Sequence, residues 1–261
     1  MLPTQRRSLI LQAIAERGAV LVADLAAELD VSAVTIRRDL DYLAESKLVV
    51  RSHGGAVSNT TAGTAVEPTY EVKRRSRVAE KALIGKAAAG EIDSDSEAVL
   101  IDAGSTTFEF AKQLRGRQGL VIVTNDLLIA TELSRNSNHE VIMLGGSVRP
   151  GIFSTYGCYA EDVLRQLTLD TVFMGADAVS VSDGVMNANT SELMVKRLMV
   201  QSAKKKYLLV DSEKFGRIAL ARVCPLSAFD GIVTDTGIPA NVAAEIRDMQ
   251  VKLITVGGPE A

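Results

Sequence analysis

Residues 32–38 read Ser-Ala-Val-Thr-Ile-Arg-Arg, and soon afterwards residues 51–55 read Arg-Ser-His-Gly-Gly. The first stretch predicts the start of a helix that is capped by Ser32, and the second predicts the tip of a β-hairpin. An exposed helix followed by such a hairpin is typical of a winged helix-turn-helix, in which the helix enters the major groove of DNA. These two stretches therefore predict both the fold and the DNA-contacting role of the amino-terminal part.

Two more helices are predicted before Ser32, at residues 4–17 and 23–29, because apolar residues recur there at helical spacing. The helix that begins after Ser32 has its own core stripe. That stripe consists of Ile36, Leu40 and Leu43. The helix-turn-helix then spans about residues 20–39. Its hairpin strands are predicted at residues 48–51 and 55–57.

The helix face opposite that core stripe carries the candidate DNA contacts. At about 100° per residue, Arg38 and Val34 lie on this face, and Thr35 and Arg37 flank it. Arginine can donate paired hydrogen bonds to guanine or phosphate, although two adjacent arginines also occur on a merely solvated helix. Arg51 on the hairpin is placed to reach minor-groove phosphates. The predicted DNA-binding residues are Ser32, Val34, Thr35, Arg37, Arg38, Arg51 and His53.

Charge and composition limit the other functional classes. The 261 residues carry a net charge of −3, so the DNA prediction rests not on bulk charge but on the local placement of Arg6, Arg7, Arg37, Arg38 and Arg51. No run approaches about 18 apolar residues, and no apolar segment follows the first residues, so we expect neither a membrane span nor a secretory signal. The two cysteines are far apart, as in reduced cytoplasmic proteins. No Cys/His spacing predicts a metal, and we expect no cofactor.

From residue 98 onward, short apolar runs alternate with helical segments. Strands are predicted at residues 98–102, 120–124, 140–144, 170–174, 207–211, 231–234 and 252–256. Helices are predicted at residues 106–114, 126–134, 159–166, 191–204 and 239–249. This alternation predicts a largely parallel α/β sheet that is covered on both faces.

The segment before this sheet has the composition of a linker at residues 58–69, followed by one basic amphipathic helix at residues 70–92. We therefore expect two domains joined by a linker. The predicted organisation is a winged helix-turn-helix at residues 1–58, a linker at 59–75 and an α/β effector-binding and oligomerisation domain at 76–261.

Small and polar residues follow several of the predicted strands. Residues 102–107 read Asp-Ala-Gly-Ser-Thr-Thr, which suits a phosphate at a helix start but also suits a plain helix cap. Ligands of open α/β sheets bind beyond the carboxyl ends of the strands, so we predict an effector pocket there. Its predicted residues are Asp102, Gly104, Ser105, Thr106, Thr107, Thr124, Asn125, Gly145, Gly146, Asp177, Lys196, Asp211 and Lys214.

Within this set, the side-chain chemistry separates two roles. Asn125, Asp177 and Asp211 suit sugar hydroxyl groups. Lys196 and Lys214 suit phosphate, although each lysine taken singly also fits a solvated surface position.

Two parts of the chain resemble the DeoR family of bacterial regulators. The first is Val31-Ser32, Thr35 to Leu40, and Val50-Arg51 with His53-Gly54-Gly55-Ala56, which resemble the DeoR winged helix-turn-helix. The second is residues 102–107, 144–146, 173–177 and 211–217, which resemble the DeoR sensor domain, itself similar in fold to ribose-5-phosphate isomerase. The resemblance implies a repressor of a carbohydrate operon with double-stranded operator DNA and a phosphorylated sugar as partners. It also implies a homodimer or homotetramer in the cytoplasm.

Two other functions remain open at this point. One is a sugar-phosphate isomerase with an attached DNA-binding domain, but Lys196 stands where the isomerases carry their glutamate base, so we expect no catalysis. The other is a DNA-binding scaffold whose second half only oligomerises, which an empty, hydrophobic cleft at Gly104 would favour. Ala178 stands where DeoR relatives usually have glycine, which leaves ligand specificity undetermined.

Overall fold

The computed structural model describes residues 2–17, 19–46, 48–52, 54–58, 67–94 and 98–257. They form two compact units, Met1–Pro68 and Thr69–Ala261. The division falls inside the expected linker of residues 59–75, of which residues 59–66 lie outside the described residues. None of the helices in the described ranges is long and apolar enough to cross a membrane.

The first unit contains three helices and an antiparallel sheet of three strands within its described residues. These elements are α1 (Pro3–Arg17), β1 (Ala19–Leu21), α2 (Val22–Glu28), α3 (Ala33–Glu45), β2 (Val49–Ser52) and β3 (Gly55–Ser58), with strand order β1-β3-β2. The helix-turn-helix and the hairpin are those that the sequence predicts. Strand β1 is not predicted, because three residues are too few to show a period. The close pairing of β1 with β3 requires Gly55, since a Cβ there would lie 2.0 Å from the carbonyl oxygen of Val20.

The core of the first unit is apolar except for a buried ion pair between Asp39 and Arg6, which Arg7 joins from a half-buried position. Asp39 is 1% exposed, and it accepts hydrogen bonds from Arg6 Nε at 2.5 Å and from Arg7 Nε at 2.8 Å. The guanidinium of Arg7 also lies 3.7 Å from the ring centre of Tyr42. The sequence analysis counts Arg6 and Arg7 among the local positive charge for DNA, and this is wrong. Both arginines instead join α1 to α3 inside the domain.

The second unit is an α/β domain. Its helices are α4 (Tyr70–Arg75), α5 (Val78–Ala89), α6 (Ser105–Gln113), α7 (Leu127–Asn136), α8 (Cys158–Leu164), α9 (Leu193–Ser202) and α10 (Ala240–Asp248). Its strands are β4 (Ala98–Ile101), β5 (Gln118–Thr124), β6 (Asn138–Met143), β7 (Ser147–Val148), β8 (Thr155–Tyr156), β9 (Leu169–Met174), β10 (Ala178–Ser180), β11 (Gly184–Asn187), β12 (Ala203–Leu209), β13 (Ala221–Cys224), β14 (Gly231–Asp235) and β15 (Lys252–Val256).

The main sheet of this unit contains, within the described residues, seven parallel strands in the order β15-β14-β12-β9-β4-β5-β6. Alternate residues of the central strands enter two different cores. Val172 and Leu208 pack against α8, α9 and α10, whereas Phe173 and Leu209 pack against α5, α6 and α7. The predicted fold class is therefore confirmed: a helix-turn-helix domain is followed by a parallel sheet that is covered on both faces.

Two features of the second unit differ from the sequence analysis. The single helix expected at residues 70–92 is two helices, because Arg77 between them adopts a left-handed backbone with φ of 51°. The short antiparallel pairs β7-β8 and β10-β11-β13 are also not predicted, because strands of two to four residues show little alternation. The carboxyl ends of the parallel strands nevertheless meet at one edge, as expected.

Replacing Asp39 by Ala is expected to destabilise the first unit by about 3 kcal/mol, because it leaves two arginines without their buried partner. Thermal denaturation of the full chain, followed together with binding to its own upstream DNA, measures this effect. The control is Asp41→Ala on the same helix, which removes an exposed carboxylate 2.9 Å from Arg51 and is expected to cost less than about 1 kcal/mol. Equal losses from both substitutions would contradict the structural role of Asp39.

Candidate functional site

Helix α3 presents its predicted DNA-facing residues to solvent. Arg37 and Arg38 are exposed, and neither makes a hydrogen bond or ion pair with any residue in the described ranges. Val34 is 54% exposed, whereas Ile36 is fully buried. The helix therefore has an apolar inner face and an outer face whose arginines are available to a ligand.

The start of α3 has the predicted cap. Ser32 Oγ accepts a hydrogen bond from the backbone amide of Thr35 at 3.2 Å, and the two hydroxyl groups lie 2.9 Å apart. This arrangement satisfies an amide that the helix itself leaves unpaired, and it directs the positive end of the helix dipole outward. Contact of Ser32 and Thr35 with DNA stays a prediction.

On the hairpin, Arg51 is partly committed to its own domain. Its Nη1 donates to the carbonyl oxygen of Gly55 at 2.7 Å, and its Nε lies 2.9 Å from Asp41. These contacts hold the side chain along the hairpin, and they leave fewer of its donors for phosphate. His53, the other predicted hairpin contact, lies outside the described residues.

In the second unit, Asp102 and Lys196 form an ion pair at the carboxyl edge of the sheet. Asp102 is 0% exposed and follows β4, and its Oδ2 accepts hydrogen bonds from Lys196 Nζ and from the amide of Gly175. Lys196 Nζ also donates to the carbonyl oxygen of Gly175 at 3.3 Å. Burial alone would lower the pKa of Lys196, but the charge of Asp102 raises it above its usual value. The pair thus joins the ends of β4 and β9 to α9.

The residues after β5 also support their neighbours. Thr124 and Asn125 are 0% exposed. Thr124 Oγ1 donates to the last carbonyl of β4 at 2.7 Å, and Asn125 Oδ1 accepts from the amide of Ala103 at 3.0 Å. Asp126, which the sequence analysis does not select, accepts from the amide of Gly104 at 3.2 Å, and burial raises its pKa to about 7. These contacts position the turn at residues 102–107, and direct effector binding by Thr124 and Asn125 stays a prediction.

The predicted phosphate turn begins helix α6. Gly104 is its amino-terminal cap, and Ser105 and Thr106 in the first turn are each 8% exposed. Thr107 is fully buried, and its hydroxyl donates to the carbonyl oxygen of Gly104 at 2.9 Å. The hydroxyl groups of Ser105 and Thr106 are therefore the ones on this turn nearest to solvent.

Asp177, at the end of β9, is matched by a lysine from the start of the second unit. Its Oδ1 accepts a hydrogen bond from Lys73 Nζ at 2.8 Å, and its Oδ2 accepts from the amide of Ala188 at 2.9 Å. Burial alone would raise the pKa of Asp177, but these two donors hold it well below its usual range. Asp177 is thus a charged carboxylate.

Three lysines gather beside this carboxylate. Lys81 is 4% exposed, and its Nζ donates to the carbonyl oxygens of Lys73 at 2.5 Å and of Ser76 at 2.7 Å. Burial lowers the pKa of Lys81 to about 8, and the positive charges of Lys214 and Lys73 lower it further against the opposing charge of Asp211. Burial and Lys73 likewise lower the pKa of Lys214. We call Lys73, Lys81 and Lys214 the lysine cluster.

The remaining predicted residues have backbone roles. Asp211 is 3% exposed and accepts a hydrogen bond from the amide of Glu213 at 3.2 Å. Gly146 has a φ of 121°, and a Cβ there would lie 2.2 Å from the carbonyl oxygen of Tyr156, so close packing of the β7-β8 pair requires glycine. Gly145 beside it is exposed.

Lys73 and Lys81 are not among the effector-site residues that the sequence predicts. The only signal for them is the run of residues 71–86, which has six basic and two acidic residues. If residues 70–92 formed one solvated helix, as the sequence predicts, none of these charges would have a specific partner. The break at Arg77 turns Lys81 toward the carbonyl end of α4, and only the folded chain brings Lys73 to Asp177, 104 residues away.

Comparison with known proteins identifies the family. A family model described as "DeoR-like helix-turn-helix domain" matches residues 6–62, and one described as "DeoR C terminal sensor domain" matches residues 76–236. The chain belongs to the DeoR family of transcriptional regulators. The resemblance that the sequence motifs indicate is thereby confirmed, and the matched ranges contain α3 and two members of the lysine cluster, Lys81 and Lys214.

Full-length relatives agree with this assignment. The transcriptional regulator YgbI of Escherichia coli K12, whose own function is uncharacterized, is 36% identical and aligns over 97% of this chain and 98% of its own. The HTH-type transcriptional regulator GlpR of Haloferax volcanii is 33% identical over 97% and 98% of the two chains. The glycerol-3-phosphate regulon repressor of Escherichia coli K12 is 30% identical over 97% and 99%.

One solved structure similar to this chain is ribose 5-phosphate isomerase A from Methanocaldococcus jannaschii. It is 15% identical, with a TM-score of 0.40 over 54% of this chain and 55% of the isomerase. At this score the similarity carries no argument about activity.

Replacing Arg38 by Ala is expected to weaken binding to upstream DNA about tenfold and to lower the slope of log affinity against log salt by about one, because one exposed donor is lost. Fluorescence anisotropy at several salt concentrations measures both quantities. The control is Arg165→Ala on α8, which also removes one positive charge and is expected to change neither quantity. If the two variants behaved alike, the outer face of α3 would not be the DNA-binding surface.

Proposed function

We propose that this chain is a repressor of a carbohydrate-utilisation operon and that a phosphorylated sugar or related metabolite controls it. It binds double-stranded operator DNA through α3 and the β2-β3 hairpin, as a homodimer or homotetramer in the cytoplasm. Family membership supports DNA binding, and the name of the glycerol-3-phosphate regulon repressor supports a phosphorylated effector. Domain limits at residues 1–58 and 76–261 fit this division of roles.

The observation that carries the effector proposal is the lysine cluster. Burial and mutual repulsion lower the pKa values of Lys81 and Lys214, although the charge of Asp211 opposes both shifts. A phosphate dianion placed among the three ammonium groups would relieve that repulsion and accept charge-assisted hydrogen bonds. We therefore assign the effector phosphate to the lysine cluster, with the hydroxyl-bearing turn at Ser105 and Thr106 facing the same edge.

The sugar part of the effector is proposed to bind Asp177. A carboxylate accepts hydrogen bonds from two hydroxyl groups, and Asp177 stays ionised at neutral pH because Lys73 lowers its pKa. Asp102, Thr124 and Asn125 act indirectly in this proposal, since Asp102 Oδ2, Thr124 Oγ1 and Asn125 Oδ1 already hold the surrounding turns. Their contribution is to fix the shape of the pocket.

We infer that the site binds its ligand without transforming it. Isomerisation of a sugar phosphate needs a carboxylate that moves a proton beside the carbonyl group. Lys196, at the position of the isomerases' glutamate, is instead paired with Asp102. Glu192, a carboxylate one helical turn before Lys196 at the start of α9, is paired with Arg149 at 2.5 Å. Incubation with ribose 5-phosphate is expected to give no ribulose 5-phosphate.

A ligand panel tests the proposed effector class. The panel contains glycerol 3-phosphate, ribose 5-phosphate and glucose 6-phosphate, their unphosphorylated parents, and inorganic phosphate. Thermal shift and calorimetry on the full chain are expected to show that at least one phosphorylated compound binds and that its parent does not. They are also expected to show that the same compound changes affinity for upstream DNA. Binding of parent sugars as tightly as their phosphates would overturn the assignment.

The pH dependence of that binding is expected to follow Lys81. Because the pKa of Lys81 is about 8 in the folded protein, the unliganded site loses this charge as pH rises through 8. A bound phosphate raises that pKa again, so binding takes up a proton near pH 8 and weakens at higher pH. Calorimetry in buffers of different ionisation enthalpy measures the proton uptake.

The lowered pKa of Lys81 affects folding stability in the opposite direction: as pH rises, ligand binding weakens but the folded state becomes more stable. The folded pKa of about 8 lies below the usual 10.5, so burial of Lys81 costs stability below pH 8, and this cost falls as pH rises toward 10.5. The control variant is Lys81→Arg, which keeps its charge throughout this range and is expected to bind with less proton uptake near pH 8 than the wild type. Proton uptake equal to that of the wild type would remove Lys81 from the proposed site.

A further inference from the structure

Helix α4 depends on its tertiary contacts. It has six residues, and isolated helices shorter than about 12 residues are marginal in water. It is also the first element of the second unit, directly after the segment that joins the two units in sequence. A change in its contacts therefore acts at the carboxyl-terminal end of the joining segment.

The first turn of α4 is anchored by an aromatic side chain. Tyr70 is 2% exposed, and its ring makes edge-to-face contacts with Phe108 at 6.3 Å and Phe153 at 6.1 Å between centroids. Its backbone amide donates to the carbonyl oxygen of Gly151 at 2.9 Å. These contacts are apolar or backbone contacts, and no sugar phosphate is needed for them.

The second turn of α4 is anchored by charge. Lys73 reaches Asp177, and Lys81 from α5 donates to the last carbonyls of α4, those of Lys73 and Ser76. The two lysines thus connect α4 to the proposed sugar carboxylate and to the proposed phosphate position. The second turn is therefore part of the effector site, although the first turn is not.

Helix α4 is followed by the anchored start of α5, and it also lines a cavity. Arg77 begins α5 in a left-handed conformation, and its guanidinium lies 2.9 Å from Asp235 and 3.3 Å from Glu80. A cavity of about 500 Å³ separates parts of α4 from α6 and α7. The cavity is lined by Tyr70, Arg74, Arg75, Val78, Ser105, Phe108, Glu109, Lys112 and Leu128. Because interiors are otherwise close-packed, this space lets α4 move more easily than a core helix.

We propose that α4 reports effector occupancy: the phosphate binds Lys73 together with Lys81 and Lys214, and so fixes α4 against the carboxyl edge of the sheet. This inference rests on the proposed function, since it assigns a regulatory role to the same site. Without phosphate, the second turn exchanges between a position in which Lys73 contacts Asp177 and a detached position. With phosphate, the attached position is favoured, because the ligand binds that position better.

Hydrogen exchange on the full chain, with and without inorganic phosphate and the phosphorylated sugars of the panel, tests the proposal. The wild-type protein is expected to gain protection at residues 70–81 when the phosphorylated compound binds. Lys73→Met is expected to lose that gain, to bind the compound about tenfold more weakly because one charged donor is lost, and to lose the response of DNA binding. Lys73→Arg is expected to restore the response, at least in part.

The matched control is Arg75→Met on the same helix. Arg75 is also a cation of α4, but its guanidinium is exposed and lies 4.0 Å from Glu71. This variant is expected to keep wild-type protection, ligand affinity and DNA response. An identical effect of both substitutions would show a general charge or folding effect and would overturn the role of Lys73.

Two further results would overturn the proposal in distinguishable ways. If the wild-type protein bound no phosphorylated compound, the proposed function itself would fail. If it bound one, but Lys73→Met bound it equally or more tightly, the function would stand and the role of α4 would fall. Tighter binding in particular would mean that Lys73 competes with the ligand for Asp177.

Discussion

The buried pair of Asp102 and Lys196 is the interaction on which the sensor site depends. One carboxylate oxygen of Asp102 holds Lys196 and the amide of Gly175, so the ends of two adjacent central strands and one covering helix meet at a single charge pair. With exposures of 0% and 5%, neither side chain can exchange its partner for water, and loss of one would leave an uncompensated buried charge. The turns that carry the candidate phosphate and sugar contacts begin directly after these strand ends.

The same residue type has opposite roles in the first unit, and the neighbours decide which role applies. Arg6 and Arg7 lie against the carboxylate of Asp39 and hold two helices together, whereas Arg37 and Arg38 directly precede Asp39 in sequence and are exposed. A buried carboxylate requires a counter-charge, so the inner arginines serve the fold. The outer arginines have no partner in the described residues, and we propose that they contact DNA. In this unit, the arginines that do not stabilise the fold are therefore the candidates for DNA contact.

Much of this architecture could be predicted from the sequence, because it follows from short-range pattern. The Ser32 cap, the outward arginines and the seven parallel strands each show in a window of a few residues, and the motifs indicated the DeoR family. The break at Arg77 and the gathering of Lys73 and Lys81 around the site could not be predicted in this way. Lys73 meets a carboxylate 104 residues away, so its role depends on the completed sheet and not on its sequence neighbours. The predicted ligands Thr124 and Asn125 show the converse: their sequence context suits ligand binding, yet their polar atoms hold the backbone.

We propose that DNA binding by the first unit and phosphate binding by the second unit are thermodynamically coupled. The most direct test of this coupling is to measure the affinity of the phosphorylated compound for the free protein and for the protein saturated with upstream DNA. Because linkage is reciprocal, the ratio of these two affinities must equal the ratio of DNA affinities measured with and without the compound. The account predicts two equal ratios that differ from one. If the protein bound both the compound and DNA but both affinity ratios were one, the two units would act independently. That result would contradict the proposed coupling.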